Sequence, residues 1–392
     1  MVKTAGGGGE CAARWTDICL SLGPSADTAT DKLVIGVLPG EGIGPEVTSC
    51  AIDILKVIAD IDGLTLDIRY GTTIGRAAEE SCGQALPGDV IEFCRQTFAA
   101  GGAILNGPGG SRYVYDLRKE FDLFFKISPI QTALGLPDAS PFQAEALEGV
   151  DILITRENSG GIYQGTTWEE RDASRRKVVH HSFSYSETQV TRFLEASARL
   201  AATRSGKLTV GWKEHGVKGI SGLWRECAAA AASRTGVSCE MVDIDLLTYR
   251  LVREPKAFDV IAAPNLPGDV LADLAAVLLG SRGLSFSGNY TESGDGVYQT
   301  NHGSAYDLAG TDIANPGGQI LSLAMMLRES FGLADQAQAI EEALRDVWQG
   351  NIRSRDVSVP GCRLAGTREI GQRVAGRVAD LLEASRAAGM TA

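Results

Sequence analysis

The chain has 392 residues, is 44% hydrophobic and 22% charged, and carries a formal net charge of −12. That length suits two domains or one large α/β unit, and the composition is that of an ordinary globular enzyme. The acidic balance argues against a nucleic-acid or anionic-membrane partner, though not against a small cationic pocket. No apolar run reaches the ~18–20 residues of a membrane span. Eight cysteines (11, 19, 50, 82, 94, 227, 239, 362) are scattered without a C-x-x-C pair, so metal-ligand spacing is absent. No secretory signal is visible, and reduced thiols in a cytoplasmic protein are expected.

Residues 1–31 hold the glycine run Gly6 to Gly9 and the small polar stretch Ser25-Ala26-Asp27-Thr28. They read as a mobile extension with too few basic residues for a targeting peptide. Within it, Trp15 to Leu20 could dock as a short amphipathic piece. Lys32 to Leu38 predicts a buried strand. The glycine loop Gly40-Glu41-Gly42-Ile43-Gly44-Pro45 follows, then a helical pattern over Glu46–Ala59. Thr65–Tyr70 reads as a strand, Val90–Thr97 as a helix and Gly102–Leu105 as a strand. Beyond a second glycine-rich loop at Asn106–Ser111, Tyr115–Lys119 is helical and Phe121–Ile130 extended. Asp151–Thr155 is a buried strand ending in Arg156-Glu157-Asn158. Gly165–His181 is polar and charged, an exposed arm. Glu187–Thr203 predicts a helix, Lys207–Trp212 a strand, and Gly222–Ser233 an Ala-rich helix. Cys239–Ile244 and Asp259–Ala263 read as strands, and Ile320–Glu329, Ala334–Trp348 and Thr367–Ala388 as helices. No internal repeat is evident. The alternation makes α/β the only economical class.

Two stretches carry chemistry. The spacing Gly40-x-Gly42-x-Gly44 is not G-x-G-x-x-G, and no acidic residue closes a second strand at the required distance. A tight turn explains it as well as a dinucleotide site does. The segment Asn265-Leu266-Pro267-Gly268-Asp269-Val270-Leu271-Ala272-Asp273 places two carboxylates four residues apart in a helix-favouring run. They share one helix face and repel. A hard divalent cation would offset that repulsion, and a solvated acidic face is the plain alternative.

Several segments together resemble the metal-dependent β-decarboxylating dehydrogenases, the isocitrate/isopropylmalate dehydrogenase family. They are Leu38-Pro39-Gly40-Glu41-Gly42-Ile43-Gly44-Pro45-Glu46-Val47, with Glu where Asp is usual, and Leu117-Arg118-Lys119-Glu120-Phe121-Asp122-Leu123. Next come Arg156-Glu157-Asn158-Ser159-Gly160-Gly161-Ile162-Tyr163-Gln164-Gly165 and the Asn265–Asp273 segment. Last come His302-Gly303-Ser304-Ala305-Tyr306-Asp307-Leu308-Ala309-Gly310 and Ile313-Ala314-Asn315-Pro316. The resemblance spans about residues 32–385. It implies an α/β, isopropylmalate-dehydrogenase-like two-domain fold with a cleft between domains, not a Rossmann fold. Residues 32–123 plus 280–386 would form the cofactor-side domain and 124–279 the domain of the dimer arm, metal and substrate.

The implied reaction oxidises a 2-hydroxy acid by hydride transfer to NAD, expels a 3-carboxylate as CO₂ and protonates the enol. By resemblance, Asp245, Asp269 and Asp273 hold Mg²⁺ or Mn²⁺, with Asp245 from the partner of a homodimer that shares its active sites. Asp243 is a rival for that place. Lys213 matches the base, and its pKa is expected to fall near a metal and other cations. Tyr163 matches the acid. Arg118 and Arg156 would grip carboxylates through forked donors. Ser128 stands where the family has a third arginine, and Lys126, on the same side of an extended strand, is expected to replace part of that charge. Arg112 hints at an extra anionic group on a non-standard substrate, or is a salt-bridged surface residue. His302, Gly303, Ser304, Ala305, Asp307, Leu308 and Asn315 would bind NAD, with acidic Asp307 disfavouring a 2′-phosphate. Gln299 and His215 depart from the family's cofactor-site residues. A malate- or tartrate-type dehydrogenase and a non-catalytic regulatory subunit of the same fold are the alternatives.

Overall fold

The computed structural model describes residues 14–20 and 32–389. Most of the expected mobile extension lies outside the described residues. Its Trp15–Leu20 piece is a helix, α1, and it is docked. Thr16, Cys19 and Leu20 are buried, Cys19 completely.

The other helices are α2 (Gly44–Asp62), α3 (Gly75–Cys82), α4 (Gly88–Ala99), α5 (Tyr113–Glu120), α6 (Ala144–Leu147), α7 (Glu187–Ala202), α8 (Lys218–Thr235), α9 (Ile244–Arg253), α10 (Asn265–Ala275), α11 (Gly317–Phe331), α12 (Ala334–Gln349) and α13 (Thr367–Gly389). The main strands are β1 (Lys32–Leu38), β2 (Thr65–Tyr70), β3 (Ala103–Asn106), β4 (Phe125–Gln131), β5 (Asp151–Glu157), β6 (Thr166–Arg171), β7 (Lys177–Ser182), β8 (Lys207–Trp212), β9 (Ser238–Asp243), β10 (Val260–Ala263), β11 (Phe286–Tyr290) and β12 (Gly296–Thr300).

Ten strands make one sheet in the order β2-β1-β3-β12-β11-β4-β5-β10-β8-β9. Its two flanks are parallel, and the middle is antiparallel through β12–β11, β11–β4 and β4–β5. The doubly wound dinucleotide order is a parallel sheet with a central switch, so this mixed sheet is not a Rossmann fold. One half of the order comes from both ends of the chain and the other from its middle. The inner parallel strands β1, β3, β5 and β10 read as near-continuous apolar runs because helices cover both faces. β4 alternates instead: Phe125 and Ile127 enter the main core, while Lys126 and Ser128 take the positions between.

Most predicted strands and helices have the observed bounds or miss by one or two residues at an end, among them β1, β2, β8 and α7. A capping box fixes the start of α7. Ser186 Oγ accepts from Gln189 N at 3.2 Å, and Gln189 Oε1 accepts from Ser186 N at 3.0 Å. The arm Gly165–His181 is the hairpin β6–β7, standing apart as its own two-stranded sheet with β6 exposed throughout. The extended stretch expected from Phe121 starts only at Phe125, after a turn in which Asp122 takes a φ of 46°. Helices α3 and α9 and strands β11 and β12 were not predicted. In Val242-Asp243-Ile244-Asp245 the alternation imitates a strand across the point where β9 gives way to α9. Among the described residues the seven cysteines are free thiols, and no helix is long and apolar enough to cross a membrane.

Candidate active site

The site begins at the antiparallel seam of β4 and β5, where Lys126 faces Arg156 in register. Each is 2% exposed, and Arg118 from the end of α5 is 5% exposed. Three cations therefore share one buried place. Burial, then the Arg156 charge, brings the Arg118 guanidinium down to about 10. Burial, then Arg118 and Arg156, pushes the Lys126 ammonium well below its ordinary range.

Helix α10 faces this cluster with Asp269 and Asp273. Arg156 Nη1 donates to Asp269 Oδ1, and Tyr163 OH donates to Asp269 Oδ2 at 3.0 Å. Burial pushes the Asp269 carboxyl up, but attraction from Arg156, Lys126 and Arg118 outweighs it and leaves the group below its usual value. Asp273 goes the other way. Burial raises it, and Arg282, 2.7 Å away, offsets only part. Burial and then the Asp269 charge keep the Tyr163 proton on, well above the ordinary tyrosine range.

Asn265, the first residue of α10, aims Arg156. Its Oδ1 accepts from Arg156 Nε at 3.1 Å and Nη2 at 2.8 Å, and its Nδ2 donates to Gly160 O at 2.6 Å. Its backbone N–H donates to Tyr185 OH at 3.0 Å. Gly268 allows the helix this close, since a Cβ there would lie 2.9 Å from Arg156 Cβ. Sequence reasoning assigned no role to Asn265 or Tyr185. The signal for Asn265 was its place opening the acidic segment Asn265–Asp273.

Ser128 is buried and donates to Asn301 Oδ1 at 3.3 Å. It brings no charge, and Lys126 is the third buried cation. Arg112 is half-exposed. Its Nε pairs with Asp116 at 2.8 Å and its Nη1 donates to Tyr163 O at 3.1 Å. It is a salt-bridged residue that also holds the backbone of Tyr163.

Lys213 and Asp245 stand apart from this cluster. Lys213 follows β8, Asp245 lies in the first turn of α9, and Lys213 Nζ donates to Asp245 Oδ1 at 2.6 Å. Asp243 is 3.9 Å from the same ammonium. The expected fall in the Lys213 pKa is not met within one chain. The hydrogen bond to Asp245 raises it, and the charges of Asp245 and Asp243 add to that. Among the described residues no group of three or more His, Cys, Asp or Glu side chains gathers where a metal could be held. One chain thus offers two carboxylates on α10 as hard oxygen donors and keeps Asp245 elsewhere.

The loop His302–Leu308 packs on the glycine loop after β1. Ile43 N donates to Ser304 O at 2.9 Å, and Gly42, at φ 58°, leaves no space for a Cβ, which would lie 2.0 Å from that oxygen. Ala305 takes a left-handed φ of 39°, and Leu308 packs against Ile43, Val47 and Ala314. His302 Nδ1 lies 3.1 Å from Gly303 O, while Nε2 is buried without a partner among the described residues. Burial lowers its pKa, so the ring is neutral. Asn315 Nδ2 donates to Asp356 Oδ2 at 3.1 Å and Asp307 is exposed. An unpartnered ring nitrogen, an open glycine edge and a free carboxylate fit a dinucleotide's hydroxyls and amides. Gln299 Oε1 accepts from Asn106 Nδ2 at 3.2 Å, and His215 lies in an exposed turn after β8.

The family model described as isocitrate/isopropylmalate dehydrogenase matches residues 34–374. The chain belongs to that family. It is 36% identical over 349 residues to the 3-isopropylmalate dehydrogenase of Halalkalibacterium halodurans, covering 86% of this chain and 95% of that protein. It is 36% identical over 356 residues to that of Heyndrickxia coagulans, covering 88% and 96%. Among solved structures it resembles isocitrate dehydrogenase from Methylococcus capsulatus, with a TM-score of 0.78, 27% identity and coverage of 89% and 99%. The protein is therefore a decarboxylating dehydrogenase acting on a CH–OH group, in a family that uses NAD with Mg²⁺ or Mn²⁺. The mixed ten-stranded sheet is the fold of this family.

Proposed function

We propose that the chain oxidises a 2-hydroxy acid bearing a 3-carboxylate and releases that carboxylate as CO₂, in a site completed by a second copy of itself. The observation that carries this is the meeting of buried Arg118, Arg156 and Lys126 with half-buried Asp269, Asp273 and Tyr163. Three cations against two carboxylates leave an excess positive charge that an acid substrate neutralises. Arg118 Nε is buried with no partner among the described residues, a donor waiting for an acceptor.

Asp269 and Asp273, with Asp245 of the second copy, would hold the divalent cation, and the His302–Leu308 loop with Asn315 would hold NAD. When bound, NAD accepts the hydride and the cation polarises the substrate's hydroxyl and keto oxygens as a Lewis acid. Arg118 and Arg156 fix the substrate carboxylates by charge-assisted hydrogen bonds, and Lys126 supplies the charge that Ser128 lacks. Lys213 of the second copy takes the hydroxyl proton as the free amine, after its ammonium has left Asp245 and lost a proton to solvent. Tyr163, which keeps its proton at neutral pH, delivers it to the enol carbon after CO₂ has left. Residues 32–123 with 280–386, and residues 124–279, are the two bodies flanking the cleft.

A homodimer is supported by apolar exposure. Leu246, Tyr249 and Val252 of α9 and Leu266 and Val270 of α10 are all at least 36% exposed, beside Asp245. On the arm, Trp168 stacks on His180 at 4.9 Å and Val179 is exposed. An isolated two-stranded ribbon is marginal in water, so a second copy is its natural cover. The free thiols agree with a cytoplasmic site of action.

The substrate reading is tested by NADH formation over a panel of 2-hydroxy diacids and triacids with Mg²⁺ or Mn²⁺. Turnover is expected with 3-carboxylated hydroxy acids. A malate- or tartrate-like acid is the second reading, because Lys126 places its charge differently from a third arginine. Arg112 lends little weight to an extra anionic substrate group, since Asp116 and Tyr163 O already occupy two of its nitrogens. A panel without turnover, in protein that binds NAD, would refute the proposal.

A further inference from the structure

Glu41 lies outside the charged cluster, in the glycine loop after β1. Glu41 is 7% exposed, and its carboxylate joins two loops to the start of α3. It accepts from Arg76 N at 2.8 Å, from Ser111 N at 3.3 Å and from Tyr306 OH at 2.7 Å. These donors belong to the first turn of α3, the loop before α5, and the His302–Leu308 loop. Glu41 N in turn donates to Pro108 O at 2.8 Å. The pocket is shaped for a full-length glutamate: a Cβ on Gly75, at φ 70°, would lie 2.3 Å from the Glu41 carboxyl carbon. Burial opposes the ionised form, yet the hydrogen bonds from Arg76, Tyr306 and Ser111 win and hold its pKa below the usual glutamate value.

Each partner leads toward a working part. Ser111 directly precedes Arg112, whose guanidinium holds Tyr163 O at 3.1 Å, and α5 carries Arg118. Tyr306 directly precedes Asp307. Its ring is 45% exposed, and the Arg76 guanidinium sits 4.4 Å over it. A hollow of about 570 Å³ opens beside this pair, walled by Thr72, Thr73 and the glycine loop.

We propose that Glu41 is a positioning residue that locks the NAD-binding loop to the helix carrying Arg118, with Tyr306 as the link on the cofactor side. The idea rests on the function proposed above, and it makes cofactor and substrate binding mutually dependent. Whatever fixes the loop fixes α5 through one carboxylate, and by linkage the coupling is reciprocal. Tyr306 OH contributes one hydrogen bond to a charged acceptor, a loss read as roughly tenfold in affinity.

The test is calorimetric titration of NAD into the full-length protein, with and without a hydroxy acid that turns over only in the presence of metal, the metal being withheld. Tyr306→Phe removes the hydrogen bond to Glu41 and keeps the ring, so it should retain the fold with only a modest fall in melting temperature. It should weaken NAD about tenfold and abolish the tightening of NAD by hydroxy acid. Hydrogen exchange of the amides at 302–312 in the unliganded protein should accelerate. Glu41→Gln should weaken both ligands, and adding Tyr306→Phe to it should weaken NAD no further. A Tyr306→Phe protein that binds NAD like wild type with unchanged exchange would overturn the inference and leave the functional reading standing. Wild-type protein that binds no NAD would overturn both.

Discussion

Lys126→Met separates function from stability most sharply. Lys126 is 2% exposed, it faces Arg156 across the β4–β5 seam, and no hydrogen bond from its ammonium is found among the described residues. Burial and two neighbouring guanidiniums push its pKa well below the ordinary lysine value, which is the signature of a charge the fold holds at a cost. Methionine has similar length and no charge. Removing a buried cation from beside two others should stabilise the folded protein by up to about 1–4 kcal/mol, the range seen when buried ion pairs or triads are replaced by apolar residues of similar volume. The same change deletes a charge-assisted hydrogen bond to a substrate carboxylate, worth ~1.5–3 kcal/mol, so kcat/KM for the hydroxy acid should fall roughly 10- to 100-fold. The loss should appear mainly in KM for the acid, with KM for NAD little changed. Thermal melting and initial-rate kinetics on one preparation read both effects. A variant that melts lower, or one whose KM for the acid is unaltered, refutes the assignment.

Asn265→Ala leaves Arg156 Nε and Nη2 without their acceptor, so substrate affinity and stability should both drop, stability by about 1–3 kcal/mol, measured by denaturant unfolding. Glu329 predicts a pH dependence. It is 3% exposed beneath α1, it accepts from Thr16 N at 3.0 Å, and burial raises its pKa to about 7. Because the folded state holds the proton above the unfolded value near 4.5, its stabilising effect is full below that value. Stability is then lost as pH rises to about 7, by at most about 3 kcal/mol. Glu329→Gln should therefore be more stable than wild type at pH 8 and gain little at pH 5, in parallel urea titrations. Equal gains at both pH values would remove Glu329 as the cause.

Much of this site was legible because its motifs are local. The acid pair on α10, Arg156 with Tyr163 after β5, and the His302–Asn315 loop are each carried by a contiguous run whose spacing survives folding. Lys126 was legible for a different reason: strand alternation puts it on the side of Ser128, and the structure buries it there. What escaped were partnerships across long separations. Glu41 and Tyr306 lie 265 positions apart, and nothing in either segment announces the bond between them. The strands β11 and β12 escaped because their polar residues are satisfied inside the sheet. Asn289 Nδ2, for example, donates to Val297 O at 3.0 Å, so a buried strand need not look apolar. Helix α9 escaped because the alternation from Val242 to Asp245 reads as a strand running on past the point where β9 ends. Under the proposed function, Lys213 and Asp245 serve a second copy's site, which accounts for their separation from Asp269 in one chain.

The central claim is that two copies build one site, and subunit complementation tests it most directly. Asp269→Asn disables the cleft side and Lys213→Met disables the side lent to the neighbour, so each variant alone should produce no NADH. Mixed dimers would contain one site with both wild-type halves. Random pairing of the two variants should then restore about a quarter of wild-type activity. If the mixed population stays inactive while wild-type protein turns over, each chain builds its own site and the account is wrong.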